Sequence, residues 1–596
     1  MAAEPEKLAY VAMLNPDPQK SDALAVVDLD PGSRSYAQLI GRLDMPATGD
    51  ELHHFGWNAC SSCLCPYSPH PHMERRYLIV PGMRSSRIYV LDTKPNPREP
   101  RVVKVIQPEE VMKRTGYSRP HTAHCGPDGI YLNALGSAEG KGPGGIFVLD
   151  AETFEIRGPW ESDRGPQHLA YDFWWHLGRD TMITSEWGTP DMVEGGANPE
   201  LLLAGKYGHA LHVWDLRKRT HQQVLDLGAE QQMVLELRPA HNPTETYGFA
   251  GVVTSLKDLS ASVWLWYREG NNGDGRWKIR KVIEIPAQPA AAEKLPPLLQ
   301  GFGAVPPFVT DINLSLDDRF LYVSCWGTGE LRQYDVSDPF NPVLTGNVQI
   351  GGMVQRSAHP KKPGEALNGG PQMVEISRDG RRVYITNSLY RTWDEQFYPD
   401  GIRGWMAKLD VSPNGGVALD DKFLVETNGL RPHQVRLQAA MRPRTRTGTS
   451  EANHGGNDEL VVGGAPRARC VPRNQPGHGL AVCGGARDAG APPHRRVPGH
   501  AAARVGAWPG NRGGNRDGSA DRHDRAGESD PVARCGRTAR TGDPALLPPR
   551  PPALGGDAGG HEGPDAVVLP DGLGAWRRTD GAAVRARCRG YSALRR

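Results

Sequence analysis

The chain has little of what marks secreted, membrane or nucleic-acid-binding proteins. Nine cysteines in 596 residues are too few for a disulfide scaffold, and this scarcity favours a reducing compartment. The formal net charge is only +2, so no excess of charge indicates a nucleic acid or a lipid surface as partner. The N-terminal stretch lacks the apolar core of a signal peptide, and no later run is long enough for a membrane span. We therefore expect a soluble, cytoplasmic protein.

Three residue types are missing from the last part of the chain. From Ala439 to Arg596 there is no Lys, Ile or Phe, whereas Arg, Gly, Ala and Pro dominate. So few large apolar side chains cannot offset the entropy cost of ordering, which predicts a disordered tail. The missing residues have AT-rich codons and the abundant ones have GC-rich codons, as expected of a GC-rich gene read out of frame. We therefore predict that residues 439–596 are a frameshift product that carries no site.

Residues 1–438 contain a repeated pair of predicted strands. One strand of each pair alternates apolar residues and ends in Asp, except that Tyr267 replaces the Asp in one copy. A second apolar strand precedes each copy, and the copies lie about 50 to 75 residues apart. The seven copies begin at Leu24, Ile88, Ile146, Leu211, Val263, Leu331 and Met406. Such a repeat predicts an all-β fold, a β-propeller with seven blades, although insertions also allow six or eight.

Histidines recur in segments that we place just before the inner strands of successive blades. They are His53, His54, His121, His124, His168, His241 and His433. Connections at this phase converge on one mouth of a propeller channel, and imidazole is the commonest metal ligand in proteins. A single loop histidine is more often a surface residue or a hydrogen-bonded turn residue. The shared phase of the whole set favours a metal site.

The stretch LHHFGWNACSSC, which begins at Leu52, adds a Cys-x-x-Cys pair to two adjacent histidines. Thioredoxin-type exchange needs such a pair at a helix N-terminus, and the surroundings here are rich in predicted strands. A zinc knuckle needs a second Cys or His pair at a set spacing, and none follows closely. Two interpretations stay open: a thiolate and imidazole set for a soft ion such as copper, and a buried loop with inert thiols.

The same residues carry a family resemblance. The chain resembles the selenium-binding protein family, which includes the methanethiol oxidases, in strings such as DELHHFGWNACSSC, HTAHC, YDFWW, HNPTETYGF and WDEQFYPDGI. The resemblance covers nearly all of residues 8–438. It implies an enzyme, a copper-dependent oxidase whose partners are a small thiol and O2. The implied reaction converts methanethiol, O2 and water to formaldehyde, hydrogen sulfide and hydrogen peroxide.

The resemblance also implies roles for single residues. The family's selenium-binding thiol matches Cys60, and we take Cys60 and Cys63 as the predicted catalytic cysteines, Cys63 resolving what Cys60 captures. The family's recurring histidines match both His53 and His54, whereas His168 has no clear counterpart in the family. The predicted metal ligands are His54, His121, His124, His241 and His433. Two other classes of function compete with the oxidase: a selenium- or thiol-carrying protein without turnover, and a plain propeller scaffold for protein partners.

The end of the family's domain supports the prediction of a frameshift. Family members end in a short Gly-Gly-Asp-x-Ser-Ser-Asp terminus, where this chain reads AAMRPRTRTG after Gln438. A permitted set of codons for these residues, shifted by one base, reads Gly-Gly-Asp-Ala-Ser-Ser-Asp-Ser-Tyr-Trp. Sequencing the gene at Gln438 tests this prediction, because other codons there would contradict it.

Overall fold

A computed structural model describes residues 5–59, 73–269 and 275–438 of the chain. These residues form seven four-stranded antiparallel sheets, which confirms the predicted seven-bladed β-propeller. No helix of the described ranges is long and apolar enough to cross a membrane. The tail at 439–596, with its predicted frameshift, lies outside the described residues and stays a prediction.

Each blade runs through four strands from the channel outwards, so the first strand of each set is the inner one and the last is the outer one. They are Arg431–Leu437, Leu8–Leu14, Ala23–Asp28 and Leu39–Asp44 in blade 1; Gly56–Trp57, Tyr77–Pro81, Ile88–Asp92 and Arg101–Ile106 in blade 2; Tyr117–Gly126, Gly129–Ser137, Gly145–Leu149 and Ile156–Pro159 in blade 3; Phe173–His176, Thr181–Ser185, Ala210–Asp215 and Thr220–Asp226 in blade 4; Gln231–Pro239, Tyr247–Ser255, Ala261–Arg268 and Trp277–Ile285 in blade 5; Val309–Leu314, Phe320–Cys325, Glu330–Asp335 and Val343–Gln349 in blade 6; and Val374–Ile376, Arg382–Thr386, Trp405–Val411 and Val417–Glu426 in blade 7.

Short elements fill the connections between these strands. The α-helices are Pro108–Thr115, Pro190–Val193, Pro199–Leu203 and Arg391–Phe397, and the 3-10 turns are Leu177–Arg179, Ala292–Lys294 and Pro297–Phe302. Two small hairpins pair Gln288–Pro289 with Ala304–Val305 and Ala358–His359 with Lys362–Ala366.

The repeated strand pair of the sequence forms the second and third strands of every blade. These strands are buried because neighbouring blades pack on both of their faces, as the fully buried strand Ile88–Asp92 illustrates. The recurring terminal Asp has a local role. Asp92 accepts a hydrogen bond from the backbone N–H of Lys94 at 2.9 Å, and Asp215 accepts one from Arg217 at 3.1 Å. The Asp therefore stabilises the turn that leads to the outer strand.

The C-terminal strand of the described chain closes the ring. Arg431–Leu437 pairs antiparallel with Leu8–Leu14 and becomes the inner strand of blade 1, with Val435 opposite Val11. Closure joins the first and last blades, so the sheet edges that remain are the outer strands of the blades. It also places His433, near the end of the described chain, beside His53 and His54, which lead into blade 2.

An aromatic cluster covers the channel at the end where the inner strands begin. Its buried rings are those of Tyr171, Trp187, Phe308, Trp326, Tyr390 and Trp393. They come from the connections that follow the second strands and from the starts of the inner strands, so several blades contribute to one core. The indole N–H of Trp393 donates to the carbonyl of Val193 at 2.9 Å and ties two short helices together.

Candidate metal centre

Three histidines meet at the axis of the propeller below the aromatic cluster. His53, His54 and His121 each offer a ring nitrogen, and these nitrogens all lie within 4.8 Å of one another. His433 joins them, because its ring stacks on that of His53 with 3.4 Å between the centroids. All four side chains are buried. Blades 1, 2 and 3 therefore build one imidazole cluster, which we call the histidine cluster.

A close approach between two blades positions the histidine pair of blade 2. The strand Gly56–Trp57 lies against Ala123, and a Cβ on Gly56 would come within 2.0 Å of the Ala123 carbonyl oxygen. Only glycine permits this approach without a shift of the backbone. The backbone N–H of Phe55 donates to the side-chain carbonyl of Gln434 at 2.8 Å, which links this segment to the closing strand. The histidines of three blades are thus fixed relative to one another.

Hydrogen bonds orient the rings of the cluster. The hydroxyl oxygen of Thr122 lies 3.2 Å from Nδ1 of His54 and 3.0 Å from Nδ1 of His121. A hydroxyl has two lone pairs, so it can accept an N–H from both rings. Nδ1 of His433 donates to the Ser388 carbonyl at 2.7 Å. The Ser388 carbonyl requires a proton on Nδ1 of His433, and protons on Nδ1 of His54 and His121 fit the same pattern. In this form the lone pairs of Nε2 are free, as for a metal-ligating histidine held by an outer partner.

Burial keeps the cluster neutral. Desolvation lowers the pKa of His53, His54 and His121 well below the usual histidine value, and the neighbouring imidazoles lower each pKa further. Desolvation also lowers the pKa of His433, to about 3. Neutral imidazole is the form that binds a metal ion.

The donor set fits a transition metal. Buried ring nitrogens without a hydrogen-bond partner in the described part of the chain include Nδ1 and Nε2 of His53 and Nε2 of His54, His121 and His433. Unpartnered buried polar atoms are costly, so a cluster of them indicates a ligand. Metal–nitrogen bonds of about 2.0 Å require the nitrogens to lie no more than about 4 Å apart. Side-chain shifts of under about 1 Å would reach that separation, and imidazole donors suit copper, zinc, iron or nickel.

A buried charge network adjoins the cluster on the side of blades 4 to 6. The guanidinium of Arg238 lies 3.0 Å from a carboxylate oxygen of Glu236, 3.0 Å from Asp311 and 3.5 Å from Asp172. Glu236 also reaches within 3.7 Å of Nε2 of His54. Desolvation raises the pKa of all three carboxyl groups, and Arg238 opposes that rise. The Glu236 carboxyl group, which Arg238 holds, is the part of this network that faces the histidine cluster.

The structure separates two of the predicted metal ligands from this cluster. His241 follows its inner strand, Gln231–Pro239, rather than preceding it. It therefore lies at the opposite end of the blade, where its Nδ1 is 2.8 Å from Asp318. His124 lies on Tyr117–Gly126, but its ring packs on Trp174, with 4.3 Å between the centroids. His124 faces the carboxylate of Asp172, 3.9 Å away, and belongs to the edge of the charge network.

The remaining sequence-based assignments have separate outcomes. His168 is exposed, whereas the four side chains of the histidine cluster are buried. Cys60 and Cys63 lie outside the described residues, and their proposed roles are not tested by the structure. The predicted ligand set omits His53, although its place beside His54 is a usable signal. It also omits Glu236, because a lone Glu in a strand carries no pattern that distinguishes it.

The fold and the site define a β-propeller with a buried cluster of imidazoles that could hold a metal ion. The profile of the 56 kDa selenium-binding protein family (SBP56) matches residues 1–441, and the chain belongs to this family.

Relatives and a solved structure agree with this assignment. Human methanethiol oxidase is 40% identical over 442 residues, which cover 71% of this chain and 89% of the relative. Mouse selenium-binding protein 2 is also 40% identical, with the same coverage. The crystal structure of a hypothetical selenium-binding protein from Sulfolobus tokodaii has 56% identity and a TM-score of 0.70, and the match covers 73% of this chain and 94% of that one.

Proposed function

We propose that this protein is a copper-dependent methanethiol oxidase with the histidine cluster as its metal site. The observation that carries the proposal is the set of buried, unpartnered imidazole nitrogens of His53, His54, His121 and His433. Identity of about 40% to relatives named methanethiol oxidase supports the same activity. The reaction balances as methanethiol, O2 and water giving formaldehyde, hydrogen sulfide and hydrogen peroxide. The thiol carbon loses two electrons, and O2 gains them.

The protein's own residues would prepare the site for this chemistry. His53, His54, His121 and His433 are the residues that would hold the ion. Thr122 would fix the rings of His54 and His121, and the Ser388 carbonyl would fix that of His433. Copper, when bound, supplies one-electron exchange and an affinity for thiolate sulfur. Only small molecules would reach the histidines past the aromatic cluster, because the rings of Tyr171 and Tyr390 that contact them are buried.

The carboxyl network would offset the charge of the ion. A cation at the histidine cluster lowers the free-energy cost of ionising Glu236, whose carboxylate approaches Nε2 of His54. Arg238 holds that carboxylate in place at 3.0 Å. The family resemblance assigns the capture of a thiol or selenium to Cys60, with Cys63 as the resolving thiol, and we keep both assignments within the proposal.

A selenium or thiol carrier is the second candidate, favoured by the similarity to selenium-binding protein 2. One experiment separates the two functions. The full-length protein is loaded with copper, supplied with methanethiol in air, and assayed for formaldehyde, sulfide and peroxide. Protein loaded with zinc is the control, because zinc binds imidazole but has no redox chemistry. If the protein is an oxidase, the copper-loaded form should give equal amounts of the three products and the zinc-loaded form should give none. Selenium labelling without turnover would support the carrier and contradict the oxidase.

A further inference from the structure

A buried carboxylate lies behind the hydrogen bond that orients His433. Asp394 belongs to the short helix Arg391–Phe397, and its side chain is buried. One carboxylate oxygen accepts the backbone N–H of Leu389 at 2.9 Å, and the other accepts the hydroxyl of Ser388 at 2.6 Å. The Ser388 carbonyl in turn accepts the Nδ1–H of His433 at 2.7 Å. Asp394 is therefore linked to the histidine cluster through two adjacent residues.

One peptide group makes this link. The carbonyl of Ser388 and the N–H of Leu389 are the two polar ends of the same planar amide. The imidazole of His433 binds to one end and the carboxylate of Asp394 binds to the other. Hydrogen bonds in a chain polarise one another, so a carboxylate on the N–H makes the carbonyl a stronger acceptor. The amide thus transmits the effect of the charge to the ring.

Neighbouring hydrogen bonds hold the same segment beside the closing strand. The backbone N–H of Ser388 donates to the Pro432 carbonyl at 3.1 Å, and the hydroxyl of Thr386 donates to the His433 carbonyl. Neither of these bonds involves the amide between Ser388 and Leu389. The contact of that amide with Asp394 is therefore the one that sets the direction of the Ser388 carbonyl.

The surroundings of Asp394 favour its charged form. The guanidinium of Arg431 lies 3.5 Å from the carboxylate. Burial raises the pKa of Asp394 to about 7, and Arg431 opposes that rise together with the hydrogen bonds from Ser388 and Leu389. The side chain is therefore a carboxylate at pH 8. By contrast, the group that binds Nδ1 of both His54 and His121 is the neutral hydroxyl of Thr122.

We propose that Asp394 is a positioning residue that fixes the ring of His433 and strengthens its Nε2 as a metal donor, acting through the peptide group between Ser388 and Leu389. The inference rests on the proposed metal site and adds a residue that lies outside the histidine cluster. A carboxylate behind a ligating histidine raises the basicity of the ring, and the loss of such an outer partner lowers metal affinity by about 10- to 100-fold.

Two variants separate the charge from the hydroxyl contact. Asp394→Asn keeps the size of the side chain and removes its charge, whereas Ser388→Ala removes the hydroxyl and keeps the peptide group. Asp28→Asn is the matched control. Asp28 is also buried, accepts two serine hydroxyls and one backbone N–H, and faces Arg98 at 3.6 Å, but it belongs to the third strand of blade 1, outside the histidine cluster. If Asp394→Asn is too unstable to purify, Arg431→Met/Asp394→Asn removes both charges of the pair and takes its place.

The His433 ring is examined first in the metal-free, full-length protein, so that neither metal nor turnover is required. Proton–nitrogen magnetic resonance spectra are recorded at pH 8 on protein with isotope-labelled histidine, and the Nδ1–H of His433 is assigned by its loss in His433→Gln. Asp394→Asn should move this proton to lower chemical shift, because the Ser388 carbonyl becomes a weaker acceptor. Ser388→Ala should move it less, and Asp28→Asn should not move it. An unmoved resonance in Asp394→Asn, or an equal shift in Ser388→Ala, would overturn the inference.

Metal affinity is measured next, with copper(II) in competition with a chelator. Asp394→Asn should bind copper about 10- to 100-fold more weakly than the wild type, and Asp28→Asn should bind it equally well. Unchanged copper affinity in Asp394→Asn would overturn the inference even if the proton resonance moves. Absence of copper binding by the wild type would instead remove the proposed function, and the proton resonance would then decide by itself whether Asp394 positions the ring.

Discussion

Replacement of Arg238 by Met tests whether the charge network beside the histidine cluster is as buried as the structure shows. Arg238 faces Asp172, Glu236 and Asp311, and each of these side chains is at most 3% exposed. Removing one partner of a buried ion pair costs about 3–5 kcal/mol, because the opposite charge stays buried without compensation. For a domain of about 430 residues the unfolding entropy is about 0.9 kcal/mol/K, so Tm should fall by about 3–6 °C.

The loss should depend on pH. Burial raises the folded-state pKa of Glu236 and Asp172 above the unfolded value, so the folded protein holds protons that the unfolded chain has released. Because of such groups, the free energy of unfolding falls as pH rises from the pKa of the unfolded state towards the pKa of the folded state. Without Arg238 the folded pKa values rise further, and the destabilisation should therefore be larger at pH 8 than at pH 5.

Calorimetry on metal-free protein at both pH values provides the assay. Arg157→Met is the control, because the pair of Arg157 with Asp150 is exposed and should contribute no more than about 1 kcal/mol. Adding Asp311→Asn to Arg238→Met should restore part of the stability, since one buried charge is removed. A loss of Tm in Arg238→Met that is no larger than in the control, or equal at both pH values, would contradict a buried network in which Arg238 compensates three carboxyl groups.

Three further predictions concern the site. Glu236→Gln should weaken metal binding by about 10-fold or more in competition with a chelator, because the carboxylate that would offset the charge of the ion is lost, whereas His241→Ala should leave the affinity unchanged; equal effects would contradict the placement of both residues. Gly56→Ala should lower the free energy of unfolding by about 1–3 kcal/mol and reduce metal content, whereas Gly195→Ala, which meets no atom within 4 Å, should do neither. Cys60→Ser should abolish selenium or thiol labelling with unchanged Tm, and labelling that survives would remove Cys60 from the capture role.

The middle strands of the blades were predictable because their burial is local and complete. Strands such as Ile88–Asp92 are apolar along their length and end in an Asp that stabilises the next turn. The inner strands were not recognisable as strands. Gly56–Trp57 has only two residues, and Arg431–Leu437 mixes polar and charged residues with apolar ones although it is almost entirely buried. The outer strand Arg101–Ile106 is partly exposed and lacks a continuous apolar pattern.

The sequence indicated that several histidines share a site, but it could not show which of them lie close together. Their predicted position before the inner strands holds for His53 and His54. It is wrong for His121, His124 and His433, which lie within inner strands. It is also wrong for His241, which follows its strand. Sequence spacing does not show which face of the sheet a side chain points to where a strand contains a β-bulge. The register shifts between Pro120 and Ala123, so the orientation of His124 could only come from the structure.

Electron paramagnetic resonance of the copper-loaded protein tests the proposed metal centre. We expect one Cu(II) per chain whose signal shows coupling to imidazole nitrogens. The coupling and the bound copper should both fall sharply in His54→Ala/His121→Ala, with little change in His241→Ala. Copper bound without nitrogen coupling, or bound equally well by the double variant, would contradict a metal centre built from the histidine cluster.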